Sequence, residues 1–170
     1  HISPALITRC RRRLEECKRW SPATVRAHGD EFNFWAVSPE TRSADIVPTS
    51  VLSSVDKEKV ESMLSVAAAI VSSRHKDWTC SDQTEIQIVR YIPGGKFNIH
   101  RDSGPGARRR KYTVLCYLSA EYKGGCTVFP DYHLTIPPVA GRAILFPSYY
   151  LHGSLPVIQG VKYVAVGWLL

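Results

Sequence analysis

In the first half of the chain, apolar positions recur at helical spacing in two places. Residues 8–20, TRCRRRLEECKRW, are rich in helix formers and set Cys10, Leu14 and Cys17 on one face. The run from Asp56 to Ser72 puts Val60, Leu64, Ala67, Ala68 and Val71 on one stripe. That spacing predicts an amphipathic helix with Ser53 or Ser54 as its N-cap. Residues 31–36 and 43–47 read as extended.

From Thr84 the period shortens. EIQIVRYI, FNIHRD, YTVLCYLS, CTVFP, HLTIP, RAILFP and VKYVAVGWLL are short β-branched or aromatic runs separated by Gly- and Pro-containing turns. Strands at this spacing predict a sandwich or barrel. The expected fold is therefore mostly β with N-terminal helices, an α+β arrangement in which helices buttress a jelly roll (double-stranded β-helix). One domain over 1–170 is expected, with a mixed front at 1–80 and the jelly-roll core at 82–170.

Composition agrees with this. Of 170 residues, 44% are hydrophobic and 22% charged, which excludes a disordered chain. The longest apolar stretch, Met63 to Val71, is far short of the roughly 20 residues a membrane helix needs, so no membrane partner is expected. Lys and Arg number 22 against 15 Asp and Glu, a net charge of +7. Arg11, Arg12 and Arg13, with Arg108, Arg109, Arg110 and Lys111, equal that excess. Such patches suit nucleic acid or an acidic protein partner, and a solvated helix face with a basic loop is the plainer account. Neither patch is interleaved with aromatics as a single-strand-binding surface is.

Five cysteines (Cys10, Cys17, Cys80, Cys116, Cys126) cannot all pair with one another, and none forms C-x-x-C. Zinc-ribbon and thioredoxin-type chemistry is thereby excluded. Neither asparagine begins a glycosylation sequon and no signal peptide is visible, so the cytoplasm or another reducing compartment is expected. The chain opens on His1 rather than Met, which leaves a removed leader open.

The candidate chemistry centres on FNIHRD. His100 and Asp102 are two apart, so on a strand both project to one face while Ile99 and Arg101 project to the other. His152, in YYLHGS after an apolar strand, is the best third ligand. Two histidines and one carboxylate would leave coordination positions open, as non-haem Fe(II) sites do. A His-x-Asp pair alone is more readily a surface turn or a hydrogen-bonded pair. His28, His75 and His133 lack any such context and read as surface or structural residues. Lys162 begins a strand apolar on both faces, sharing one face with Val164, Val166 and Trp168. A buried ammonium requires a partner. That partner could be a structural ion pair or a carboxylate ligand beside a metal, and an edge lysine could instead snorkel to solvent. Its place ten residues after His152 favours the carboxylate ligand.

These segments together resemble the 2-oxoglutarate- and Fe(II)-dependent oxygenases, in the prolyl 4-hydroxylase-like branch. VRYIPGGKFNIHRDSG, RKYTVLCYLS, GGCTVFP, GRAILFP, LHGSLPV and GVKYVAVGW occur in the family's order between about Val89 and Trp168. TRSADIV is similar to a segment that precedes the core in that branch. The resemblance implies that His100, Asp102 and His152 are catalytic iron ligands and that Lys162 pairs with the distal carboxylate of 2-oxoglutarate. It also implies cosubstrate contacts for Tyr91 and Tyr117, an aromatic wall at Trp168, and a substrate contact at Arg110. Tyr91, Tyr117 and Trp168 could instead be core aromatics, and Arg110 part of an exposed basic loop.

The implied cofactors are Fe(II), 2-oxoglutarate and O2, with ascorbate as a reductant. The implied reaction is hydroxylation of an amino-acid side chain, in a peptide or protein or a free small molecule, with succinate and CO2 as co-products. Asp102 argues against the halogenases of this superfamily, which replace that carboxylate with a small residue. Lys162 argues against the nucleic-acid demethylase branch, which usually carries arginine there. The basic loop SGPGARRR follows Asp102 and would suit an acidic substrate. A nucleic-acid-directed oxygenase and a non-catalytic jelly-roll binding module are the alternatives.

Overall fold

The hydroxyls of Ser3 and Ser53 start the two helices. Ser3 accepts a hydrogen bond from the Leu6 amide, Pro4 takes the first helical position, and α1 spans Pro4–Glu16. The helix expected at 8–20 thus begins and ends earlier, because the Ser-Pro start governs where it nucleates. At Cys17 the backbone turns extended, leaving that side chain half-buried while Leu6, Cys10 and Leu14 form the buried stripe. Ser53 accepts from the Asp56 amide, and α2 runs over Ser54–Arg74. Val60, Met63, Leu64, Ala67 and Val71 are buried, and Ala68 is half-buried at the edge of the stripe.

The structure is a computed structural model that describes residues 2–28, 33–76, 78–80, 82–105, 107–119 and 121–170. The side chains of residues 26–28 and 33–35 lie outside the description, His28 among them. So do residues 31 and 32 of the expected strand at 31–36.

The strands follow in chain order. They are β1 (Ser21–Pro22), β2 (Thr24–His28), β3 (Asn33–Val37), β4 (Asp45–Pro48) and β5 (Gln87–Tyr91). Next come β6 (Phe97–His100), β7 (Tyr112–Tyr117), β8 (Tyr122–Gly124), β9 (Thr127–Phe129) and β10 (Leu134–Ile136). The last are β11 (Ala143–Pro147), β12 (His152–Ser154), β13 (Val157–Gly160) and β14 (Lys162–Leu169). A six-stranded sheet has the order β1-β4-β5-β14-β7-β11, and a four-stranded sheet the order β10-β9-β12-β6. Strands β2 and β3 pair with each other, as do β8 and β13. The architecture is mostly β with N-terminal helices and a jelly-roll core, as the sequence pattern predicts. The front also contributes strands: β1 and β4 extend the major sheet.

The two faces of β14 explain where the cavity lies. Tyr163, Ala165 and Leu169 join the core formed with Leu6, Leu14, Leu64 and Val71 of the helices. Lys162, Val164, Val166 and Trp168 face the opposite way and line an internal cavity. Gly167 allows the helix to sit close, since a Cβ there would come within 3.1 Å of both Leu64 methyls. Helices thus cover one face of the major sheet, and its other face is free to build a site.

Candidate active site

Strand register brings the two histidines together. β12 pairs antiparallel with β6, and His152 lies directly opposite His100, their ring centroids 4.3 Å apart. Asp102 follows β6 and is tied down by its backbone, with the amides of Asp102 and Ser103 both donating to the Ser148 carbonyl. The donor atoms of His100, Asp102 and His152 all lie within 4.8 Å of one another. His100 Nε2 is 3.3 Å from Asp102 Oδ1, and His152 Nε2 is 3.6 Å from Oδ2.

The remaining hydrogen bonds prepare this trio for a cation. His100 Nδ1 lies 2.7 Å from the Asn98 carbonyl and His152 Nδ1 lies 3.0 Å from that of Tyr150. A carbonyl only accepts, so each Nδ1 donates there and leaves Nε2, on the Asp102 side, as the nitrogen that would coordinate a metal. Asp102 Oδ2 accepts from the Thr113 hydroxyl at 2.8 Å and from the Trp168 indole N–H at 3.0 Å. Burial acts to raise the Asp102 carboxyl. The His100 hydrogen bond, the nearby His152 and the Trp168 N–H outweigh it and hold the group well below the usual carboxylate range. Burial pushes His152 down, against the pull of Asp102, which favours the neutral ring a metal requires. Two neutral imidazoles and an ionised carboxylate suit Fe(II), so the donor set fits a mononuclear iron.

Lys162 stands on the facing sheet and is 1% exposed. Its ammonium donates to the Gly125 carbonyl at 2.6 Å and to Ser154 Oγ at 2.7 Å. Among the described residues no carboxylate pairs with it, so the structural ion pair left open by the sequence is absent. Burial lowers its pKa from 10.5 to about 7.

A cavity of about 600 Å³ contains His100, Asp102, His152, Lys162, Tyr91, Trp168 and Arg110 in its lining. Tyr117 is the exception. It is fully buried, its hydroxyl bonds Thr127 Oγ1 at 2.7 Å, and it is Thr127 that reaches the cavity wall. Trp168 also does more than form a wall, since its N–H holds Asp102. Its ring carries the Arg110 guanidinium 3.6 Å above it, and Arg110 donates to the Asp102 carbonyl at 3.4 Å.

Several site residues carry no signal in the sequence. Thr113, Ser148 and Ser154 act through hydrogen bonds to Asp102, to Thr113 and to Lys162. Arg42 arrives from the front of the chain through an isolated bridge to Phe97 and stacks its guanidinium 4.7 Å above that ring. It lines the cavity, and its buried Nε has no partner. TRSADIV, which contains Arg42, was the only hint.

Fold and site define a class. A jelly roll with His-x-Asp and a distant His on one sheet, facing a buried lysine on the other, is the arrangement of the 2-oxoglutarate-dependent oxygenases. A profile described as the 2OG-Fe(II) oxygenase superfamily matches residues 86–170, half of the chain, and the chain belongs to that family. The family's chemistry requires Fe(II), 2-oxoglutarate and O2. Prolyl 4-hydroxylase 13 of Arabidopsis thaliana is 35% identical over 112 aligned positions, covering 48% of this chain and 41% of that one. The chain spans less than half the length of the curated relatives it matches.

Among solved structures, the viral collagen prolyl hydroxylase of Paramecium Bursaria Chlorella virus-1, in its 2OG complex, is 25% identical with a TM-score of 0.61. The match covers 76% of this chain and 80% of that one. A prolyl hydroxylase from Trichoplax adhaerens, in complex with a hypoxia inducible factor oxygen degradation domain peptide fragment, shares the fold. Its TM-score is 0.73 at 17% identity, covering 99% of this chain and 80% of that one. Among the described residues no helix is long and apolar enough to cross a membrane.

Proposed function

We propose that the chain is an Fe(II)- and 2-oxoglutarate-dependent dioxygenase that hydroxylates an amino-acid side chain, with prolyl residues of a peptide or protein as the substrate class. The observation that carries the reading is one cavity with His100, Asp102 and His152 on one wall and the unpaired Lys162 ammonium on the other. The prolyl hydroxylases among its relatives support the substrate class.

In this reading His100, Asp102 and His152 hold the iron. The bound iron supplies activation of O2, coupled to decarboxylation of 2-oxoglutarate to succinate and CO2. Lys162 binds the distal carboxylate of 2-oxoglutarate and Tyr91 flanks it. Tyr117 acts one step back, by orienting Thr127. Thr113 and Trp168 fix the rotation of the Asp102 carboxylate. Leu115, Val164 and Val166 give the cavity an apolar wall that excludes water from the reacting centre. Arg110, at the mouth, contacts substrate. A reducing compartment, in which five unpaired cysteines persist, is part of the proposal.

The test is conversion of 2-oxoglutarate to succinate with gain of one oxygen by a proline-containing peptide. His100→Ala and His152→Ala should each abolish it. Full turnover in both variants overturns the assignment of the ligands.

A further inference from the structure

A second groove, of about 650 Å³, opens beside the catalytic cavity. Its floor is apolar: Trp78 meets Tyr112 edge-on at 5.4 Å, and Leu145, Phe146 and Pro147 of β11 complete it. Its cations are Arg74 in the last turn of α2 and Arg108, Arg110 and Lys111 in the loop before β7. No Asp or Glu lines the groove, and among the described residues none of these four makes an ion pair. Ser103 and Arg110 line both cavities, so the groove is continuous with the mouth of the site.

Four cations around an apolar floor create a local positive potential that favours an anionic occupant with an apolar side chain. We propose that the groove receives an acidic stretch of the polypeptide substrate that flanks the target residue, a proposal that rests on the oxygenase reading above. Carboxylates of that stretch meet Arg74, Arg108 and Lys111, and a neighbouring apolar side chain lies on Trp78 and Tyr112. Charge distribution favours a peptide over nucleic acid. A phosphate backbone needs a track of cations. On α1, the other basic segment, Arg9 pairs with Asp56 and Arg11 with both Glu15 and Glu121. None of the α1 arginines, the exposed Arg12 and Arg13 included, lines the groove, so α1 does not extend it into a track.

The test uses labelled proline-containing peptides that differ only in a pair of residues, aspartates or asparagines, stepped along either side of the proline. Each is titrated anaerobically into protein loaded with Fe(II) and 2-oxoglutarate. At one set of positions the aspartate peptide should bind about tenfold more tightly at low salt, the sum of two or three exposed charge pairs. Arg74→Glu with Lys111→Glu should erase that advantage, as should Arg108→Glu alone in part. Neither variant should alter the visible band of the loaded protein or its peptide-free consumption of 2-oxoglutarate. Three outcomes would overturn the proposal: no position at which aspartate is preferred, a preference that survives charge reversal, or displacement of the peptide by a tighter-binding single-stranded oligonucleotide. Absence of the band in the unmodified protein would count against the oxygenase reading, while the peptide titration, which reads binding alone, still decides the groove.

Discussion

Lys162 and Tyr91 are cross-strand partners: β14 pairs with β5 so that the two residues stand opposite, and the ammonium lies 5.0 Å from the centre of the phenol ring. Among the described residues the cation meets the Tyr91 and Tyr117 rings and two oxygen acceptors, with no carboxylate. An uncompensated buried cation is poised to receive an anion.

The pH dependence follows from that burial. Lys162 titrates at about 7 when folded and at 10.5 ordinarily, so between those values the unfolded chain holds a proton that the folded chain lacks. Stability of the unliganded protein therefore rises with pH across this window, and the full penalty is present below it. A carboxylate bound at Lys162 raises its pKa again, so binding of 2-oxoglutarate at about pH 8 takes up a proton. Calorimetry in buffers of different ionisation enthalpy should detect that uptake in the wild type and not in Lys162→Met. The same variant should raise the apparent 2-oxoglutarate requirement about tenfold or more, the loss of a charge-assisted hydrogen bond.

Trp168 acts on the metal through Asp102. Trp168→Phe keeps an aromatic ring in the cavity wall and removes the 3.0 Å hydrogen bond to Oδ2. Fe(II) affinity should fall about tenfold, the usual cost of losing a partner that orients a ligand. Thr113→Val should act in the same direction. Anaerobic competition against a chromogenic chelator measures both, and unchanged affinity in the two variants would show that Asp102 needs no support.

Gly153 sets the distance between β12 and β6. A Cβ at this position would lie 2.9 Å from the Phe97 carbonyl oxygen and 2.9 Å from Ile99 Cδ1. Backbone cannot yield as a side chain can, so Gly153→Ala must displace β12 and carry His152 away from His100. A shift of this kind should cut turnover about a hundredfold. Turnover assays beside urea denaturation would separate this from general instability, and wild-type turnover would show that the register tolerates the shift.

Much of this site was legible because period-two alternation is a local property. The spacing of His100 and Asp102 pointed to one face, although β6 ends at His100 and the Ser148 carbonyl holds Asp102 beside it. The face of β14 that carries Lys162 could be read from its alternation. What brings His152 opposite His100 is pairing between strands distant in sequence; its place after an apolar strand marked it as the best third ligand, but the register has no local signal. Thr113, Thr127 and Ser154 were invisible for a different reason: a hydroxyl on a strand has no pattern until its acceptor is in place. Arg42 comes from the front half and reaches the cavity through a single bridge to Phe97. The shift of α1 shows the competition between two local signals, an arginine-rich helical pattern and the Ser3-Pro4 start, which the start won.

Anaerobic titration of the protein with Fe(II) and then 2-oxoglutarate tests the central claim most directly. A weak visible metal-to-ligand charge-transfer band should form in the wild type, vanish in Asp102→Ala, and require far more 2-oxoglutarate in Lys162→Ala. A folded wild type that binds neither iron nor 2-oxoglutarate, or a band indifferent to both substitutions, would contradict the account.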